Sequence, residues 1–171
     1  MSVYTIKPLS TETWDAFARL CEKHNGMGFG QCWCTWFHPR RKDLGLDAEV
    51  EAGRPYKEFL VREGRSHAAL VFDGDAAIGW CQYGPRLTCI FVDRNHRHEG
   101  VAAVAVQGAL DLIAQAGGGV VEAYPQDTAG KKISASFLYS ATRGTFEKAG
   151  FDYERPKGKN HCVMRKTVPA G

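Results

Sequence analysis

The sequence predicts one α/β domain built around a mixed β-sheet, and three observations carry that prediction. Two apolar runs are joined by Asp73-Gly74, the dipeptide that closes tight antiparallel hairpins. A third run, 87–92, passes through a short polar turn into an alanine- and valine-rich helix and on to a further strand. The 171 residues are 44% hydrophobic, which fills a single core of ordinary domain size. Strands joined by tight turns pair antiparallel, whereas a strand-helix-strand unit pairs its strands in parallel through a right-handed crossover.

Residues 3–8 read as a short strand, and Ser10-Thr11 offers helix caps before Trp14, Phe17, Leu20 and Cys21 recur at helical spacing. Gly26, Gly28 and Gly30 then interrupt regular structure while Met27, Phe29, Trp33, Trp36 and Phe37 crowd apolar surface into a loop. Residues 47–63 are amphipathic but broken at Gly53-Arg54-Pro55, which predicts two short helical pieces, the second carrying Tyr56, Phe59 and Leu60. Strands follow at 68–72, 76–83 and 87–92, then a buried helix over 100–116, stopped by Gly117-Gly118-Gly119, and a strand at 120–124. After a polar loop come a helix at 142–149, a strand at 151–155, a turn at 157–160 and a last strand at 161–167.

No run approaches the ~18 apolar residues of a membrane span, and Lys7, Glu12, Asp15 and Arg19 punctuate the first twenty positions. A cytoplasmic protein without a membrane partner is expected. The six cysteines are scattered, several within apolar strands, as reduced core thiols are. The net charge of +3, from 22 basic and 19 acidic residues spread along the chain, gives no ground for nucleic-acid binding.

The chemistry concentrates after the strand ending at Val92. There Arg97, His98, Glu99, Gly100, Val101 and Ala102 form a polar turn opening directly into an apolar helix. A helix N-terminus gathers unpaired N–H groups and positive potential, and a glycine lets a phosphate approach the backbone. A helix-entry glycine in a solvated basic turn is the plainer reading of the same residues. These six residues match the R/Q-x-x-G-x-G/A pattern of the GNAT (GCN5-related N-acetyltransferase) superfamily, and the run from Phe146 to Phe151 resembles the family's later aromatic-to-Gly-Phe signature. The resemblance covers roughly residues 68–167.

The resemblance implies a mostly antiparallel twisted sheet of six to seven strands, flanked by about four helices. The fourth and fifth strands run parallel and splay apart. It implies that the backbone amides of 97–102 hold the pyrophosphate of acetyl-CoA, the co-substrate. It also implies that Ile90, Phe91 and Val92 pair with the pantetheine arm as an added strand would, with a main-chain N–H near Phe91 or Val92 as oxyanion donor. For the base, Glu122 is the carboxylate inside an otherwise apolar strand, and a solvent-facing or structurally paired carboxylate is the alternative. The tyrosine the family often places before Gly-Phe is Phe146 here, which has no hydroxyl, so Tyr139 becomes the candidate acid, with Tyr124 a second phenol within reach. A thiolate can also take its proton from water.

The run from Gly30 to His38 holds two thiols, two indoles and an imidazole. With His24 it offers ligand types that zinc accepts, but not the spacing of structural zinc sites, so no metal is expected. Trp33 and Trp36 would stack an aromatic or cationic amine where the family builds its acceptor pocket; loop anchoring is the alternative. Lys131, Lys132 and Arg143 could reach the nucleotide's 3′-phosphate, or could be solvated. The expected function is acetyl transfer to a primary amine of a small molecule. A protein or peptide amine and a non-catalytic acyl-CoA-binding module are the competing readings, and an exposed sheet edge would suit a homodimer.

Overall fold

The computed structural model describes residues 3–26, 31–46, 49–128, 130 and 139–171. Among the described residues, eight strands form two four-stranded sheets: β1 (Thr5–Pro8), β2 (His67–Asp73), β3 (Ala76–Tyr83) and β5 (Ile90–Val92) in the order β1-β2-β3-β5, and β4 (Arg86–Leu87), β6 (Gly119–Ala123), β7 (Asp152–Lys157) and β8 (His161–Val168) in the order β4-β6-β8-β7. Four α-helices accompany them among the described residues: α1 (Trp14–Lys23), α2 (Arg54–Arg62), α3 (Val101–Gln115) and α4 (Arg143–Lys148).

The Asp73-Gly74 turn joins β2 to β3 as the dipeptide predicts, with Gly74 at φ +56°. Val71 pairs with Gly79 and Phe72 with Ala77, so β3 carries a bulge at Ile78. Gly79 is required there: a Cβ would stand 2.6 Å from Phe91 O and 3.0 Å from Val101 Cγ1, and its absence lets α3 lie close on the sheet. Gly108, inside α3, meets Ile6 of β1 in the same way, at 2.8 Å.

Three expectations are corrected. The run 87–92 is two strands in two sheets, divided at Thr88-Cys89: Leu87 pairs in parallel with Ala123, while Ile90 pairs antiparallel with Cys81. Gly53-Arg54-Pro55 begins a helix instead of interrupting one, because Gly53 sits at φ +78° ahead of α2 and Pro55 occupies its first turn, where no N–H is needed. Ahead of it the described residues hold a single turn of 3₁₀ helix at Arg41–Leu44. Finally, Ser10-Thr11 does not cap α1: the helix begins at Trp14 behind Thr13 with no side-chain cap, and the Thr13 hydroxyl donates to Pro8 O at 2.8 Å.

Two apolar clusters cover the sheets. One joins Val71, Ile78, Cys81 and Ile90 to Val101, Ala105 and Leu110 of α3, and to Val121, Phe146 and Met164. The other, on the opposite face, joins Leu70, Phe72 and Trp80 to Trp14 and Phe17 of α1 and to Trp33 and Cys34 of the loop. Among the described residues, no helix is long and apolar enough to cross a membrane.

Candidate active site

The parting at Thr88-Cys89 creates the central feature. Cys89 O accepts from Gln82 N (2.8 Å) and Asp93 N donates to Ile78 O (2.7 Å), so the odd-numbered residues of β5 turn their backbones toward β3. Ile90 and Val92 therefore face the splayed side. Ile90 N–H donates to Tyr139 O at 2.8 Å, and Gln126 N–H donates to Ala141 O at 3.0 Å, so the segment through Tyr139 and Ala141 stands between the diverging strands. Of the three residues expected along the pantetheine arm, Ile90 and Val92 present their backbones to the opening. Phe91 does not: its backbone belongs to the β3 ladder opposite Trp80, and its ring packs on Trp80 at 4.8 Å.

At the end of β5, Asp93 ties the polar turn to α1. It is buried, accepts from Lys23 Nζ at 2.5 Å and Asn95 N at 3.0 Å, and lies 3.4 Å from His24 Nε2. Burial alone raises the Asp93 carboxyl, but the Lys23 ammonium and the Asn95 N–H outweigh it and hold it below the ordinary carboxylate range. From this anchor, Arg97, His98, Glu99 and Gly100 are exposed, with His98 at φ +67° and Gly100 at φ +82°. The first donors inside the helix are Ala103 (2.9 Å) and Val104 (3.2 Å), both to Gly100 O. The N–H groups of Val101 and Ala102 precede the first full turn and have no carbonyl behind them. A Cβ at Gly100 would meet no atom within 4 Å. The open space at this glycine, the free N–H groups and the nearby Arg94 and Arg97 fit a pyrophosphate. Glu99 turns away, its carboxylate accepting from Tyr4 OH at 3.0 Å.

Glu122 lies on the face of β6 opposite α3, since its neighbours Val121 and Ala123 fill the core. Its carboxylate accepts from Arg165 Nη2 at 2.7 Å and Tyr124 OH at 2.6 Å, and Arg165 also pairs with Glu154 at 2.6 Å. Arg165 first and Tyr124 second hold Glu122 below its usual range, which weakens it as a base. The Tyr124 phenol is pushed up by donating to Glu122, and Lys157 lies over its ring at 4.3 Å. Tyr139 stands at the splayed edge, its ring exposed and 6.1 Å from Phe37.

The two loop tryptophans part company. Trp33 is buried, stacked 6.4 Å from Trp14 with the Arg54 guanidinium over it, which makes it an anchor of the loop. Trp36 is 76% exposed. Arg143 pairs with Asp127 and Glu147. Lys131, Lys132 and the loop residues Met27, Gly28, Phe29 and Gly30 lie outside the described residues. Among the described residues, no group of three His, Cys, Asp or Glu side chains is arranged to hold a metal ion.

Sequence reasoning missed a buried polar cluster around Lys57, Gln82, His38 and Cys34. Lys57 shares a helical face with Leu60 and Val61, and Gln82 interrupts an apolar strand; a lysine and an amide at core positions were the available signal.

A mixed α/β protein whose parallel strands splay beside an exposed helix N-terminus is a defined structural class. The fold is that of the GNAT N-acetyltransferases. An acetyltransferase candidate of the GNAT family from Desulfovibrio desulfuricans superposes with a TM-score of 0.57 at 18% identity, over 97% of this chain and 99% of that one. A ribosomal-protein alanine N-acetyltransferase from Escherichia coli gives 0.56 at 11% identity, over 99% and 96%. The PaiA N-acetyltransferase of Thermoplasma acidophilum, in complex with coenzyme A, gives 0.51 at 14% identity, over 96% and 99%. No protein-family model matches the sequence and no curated protein matches it, so the likeness is one of three-dimensional structure.

Proposed function

We propose that this protein is an acetyl-CoA-dependent N-acetyltransferase that moves an acetyl group directly to a primary amine of a small molecule. The carrying observation is the continuity of β5 with the turn at 93–102. A strand edge with outward backbone at Ile90 and Val92 leads straight into unpaired N–H groups at Val101 and Ala102.

Acetyl-CoA supplies an acetyl group activated as a thioester. The chain's own residues then divide the work. The N–H groups at the start of α3 and the exposed Arg97 receive the pyrophosphate. Val92, rather than Phe91, offers the outward main-chain N–H that polarises the thioester carbonyl. Glu122 takes the amine proton from the open face of β6, in a role that requires Arg165 to shift toward Glu154. Tyr139, at the splayed edge, returns a proton to the departing thiolate. The exposed rings of Trp36, Phe37 and Tyr139 give the entrance an aromatic rim suited to a small acceptor.

Calorimetric titration with acetyl-CoA, followed by a thiol-release screen over an amine library, tests the assignment. Micromolar binding with thiol release on one amine class supports the enzyme. Binding without turnover on any amine leaves the acyl-CoA-binding module, and no binding removes the cofactor assignment.

A further inference from the structure

The side of the sheets turned away from α3 carries more than the Glu122 carboxylate. Leu87 lies in the core with α3, so its neighbour Arg86 points the other way, and Arg86 is the register partner of Glu122 across the parallel pair β4 and β6. Positive charge is left over here. Arg165 engages both carboxylates it meets, Glu122 at 2.7 Å and Glu154 at 2.6 Å, and the second oxygen of Glu122 accepts from Tyr124 OH at 2.6 Å. Arg86 is exposed and, among the described residues, pairs with no carboxylate. It lies over the Tyr124 ring at 5.7 Å, and the Lys157 ammonium, equally without a carboxylate partner among the described residues, lies 4.3 Å from the same ring. A guanidinium is a planar fork of donors that fits one carboxylate.

A further donor is set from inside the fold. Lys57 is wholly buried and donates to Gln82 Oε1 at 2.8 Å and to Cys34 O at 3.3 Å. An ammonium only donates, so the amide oxygen of Gln82 is the end turned to Lys57, and the amide nitrogen is the end that reaches Thr88 Oγ1 at 3.1 Å. That nitrogen also only donates. Thr88 therefore accepts from it and keeps its own hydroxyl hydrogen, which no described residue takes. Thr88 N donates to Gln82 O at 3.1 Å and Gln82 N donates to Cys89 O at 2.8 Å, so two residues oppose one. This bulge seats the half-buried Thr88 where the strand divides, two positions along from Arg86 and on the same side.

We propose that the acceptor is an α-amino acid, its amine directed to Glu122 and its carboxylate held by Arg86 and the Thr88 hydroxyl, with Lys157 adding positive potential beside Tyr124. The proposal rests on the N-acetyltransferase reading and narrows its acceptor from small amines in general to amines that bear a carboxylate. Neighbouring strands stand about 4.8 Å apart, so Glu122 and Arg86 serve two groups carried on one carbon atom. Lys57 and Gln82 touch neither group; they are positioning residues that leave Thr88 a donor.

Thiol release from acetyl-CoA is measured with the common α-amino acids and with the amine left when each loses its carboxylate, phenylalanine against phenylethylamine for example. In the native protein kcat/KM should favour the amino acid by roughly ten- to hundredfold, the worth of one charge-assisted hydrogen bond. Arg86→Met, at an exposed position, should erase this preference through KM for the amino acid while KM for acetyl-CoA stays as in the native protein. Arg86→Lys, which keeps the charge and loses the fork, should retain part of it. Thr88→Val should lower the preference and Thr88→Ser restore it, with thermal melts checking the fold. Equal use of an amino acid and its decarboxylated amine by the native protein, or a preference that survives Arg86→Met, overturns the proposal and leaves the transferase reading standing. Failure of every amine of both kinds to release thiol removes that reading, and this proposal with it.

Discussion

Replacing Gly100 by alanine separates what this residue does for the fold from what it does for the ligand. At φ +82°, a residue with a Cβ costs about 1–2 kcal/mol. The added methyl would meet no protein atom within 4 Å, so nothing further is lost in the free protein. For a domain of this size each kcal/mol moves Tm by about 2–4 °C. The same methyl would occupy the space into which a phosphate must come to reach the N–H groups of Val101 and Ala102. Losing one charge-assisted bond there costs about 1.5–3 kcal/mol, a weakening of Kd by roughly ten- to hundredfold. Gly158, in the turn between β7 and β8, is the control: it too has positive φ (+63°) and no atom within 4 Å of a Cβ. Calorimetry with acetyl-CoA and thermal melts on Gly100→Ala and Gly158→Ala should show a similar small loss of stability in both and a loss of affinity in the first alone. Equal affinities would refute the assignment of the turn to the pyrophosphate.

Other expectations follow from the same geometry. Glu122→Gln should lower kcat by about 10²–10⁴ with little effect on acetyl-CoA binding, while Arg165→Met, which frees the carboxylate from its main partner, should move the acidic limb of the pH–rate profile upward; an unmoved limb would mean that Glu122 is not the base. Tyr139→Phe should reduce kcat by no more than about tenfold, because water can protonate a thiolate, and should leave KM for acetyl-CoA unchanged. Burial and the Lys57 charge push His38 from its ordinary 6.5 down to about 4, so the unfolded chain binds its proton first: the associated stability is complete above pH 6.5 and is lost as pH falls toward 4. That loss is about 3 kcal/mol, and urea unfolding across this range should show it in the native protein and not in His38→Gln.

Much of this architecture is legible along the chain, because its signals are local. The Asp73-Gly74 hairpin, the apolar helix behind Gly100 and the alternation that puts Val121 and Ala123 inward each depend on neighbours a few positions away. The candidate site is less so. Glu122 was visible as a lone carboxylate in an apolar strand, but its basicity is set by Arg165, 43 residues later, on a strand that arrives only when the second sheet assembles. Trp33 and Trp36 look alike in sequence and differ in burial because the loop turns through left-handed conformations between the helices.

The sequence by itself determined most of the strands and helices in their order, the polar turn ahead of α3 and the residue types the chain offers, since propensity, periodicity and turn chemistry act over short separations. Tertiary structure alone decided that 87–92 divides between two sheets, that Val92 rather than Phe91 turns its N–H outward, that Tyr139 stands in the opening, and that Lys57 is buried against Cys34. Each of these is a choice of partner between distant segments. Hydrogen-bond direction and charge balance acquire values only when those segments meet.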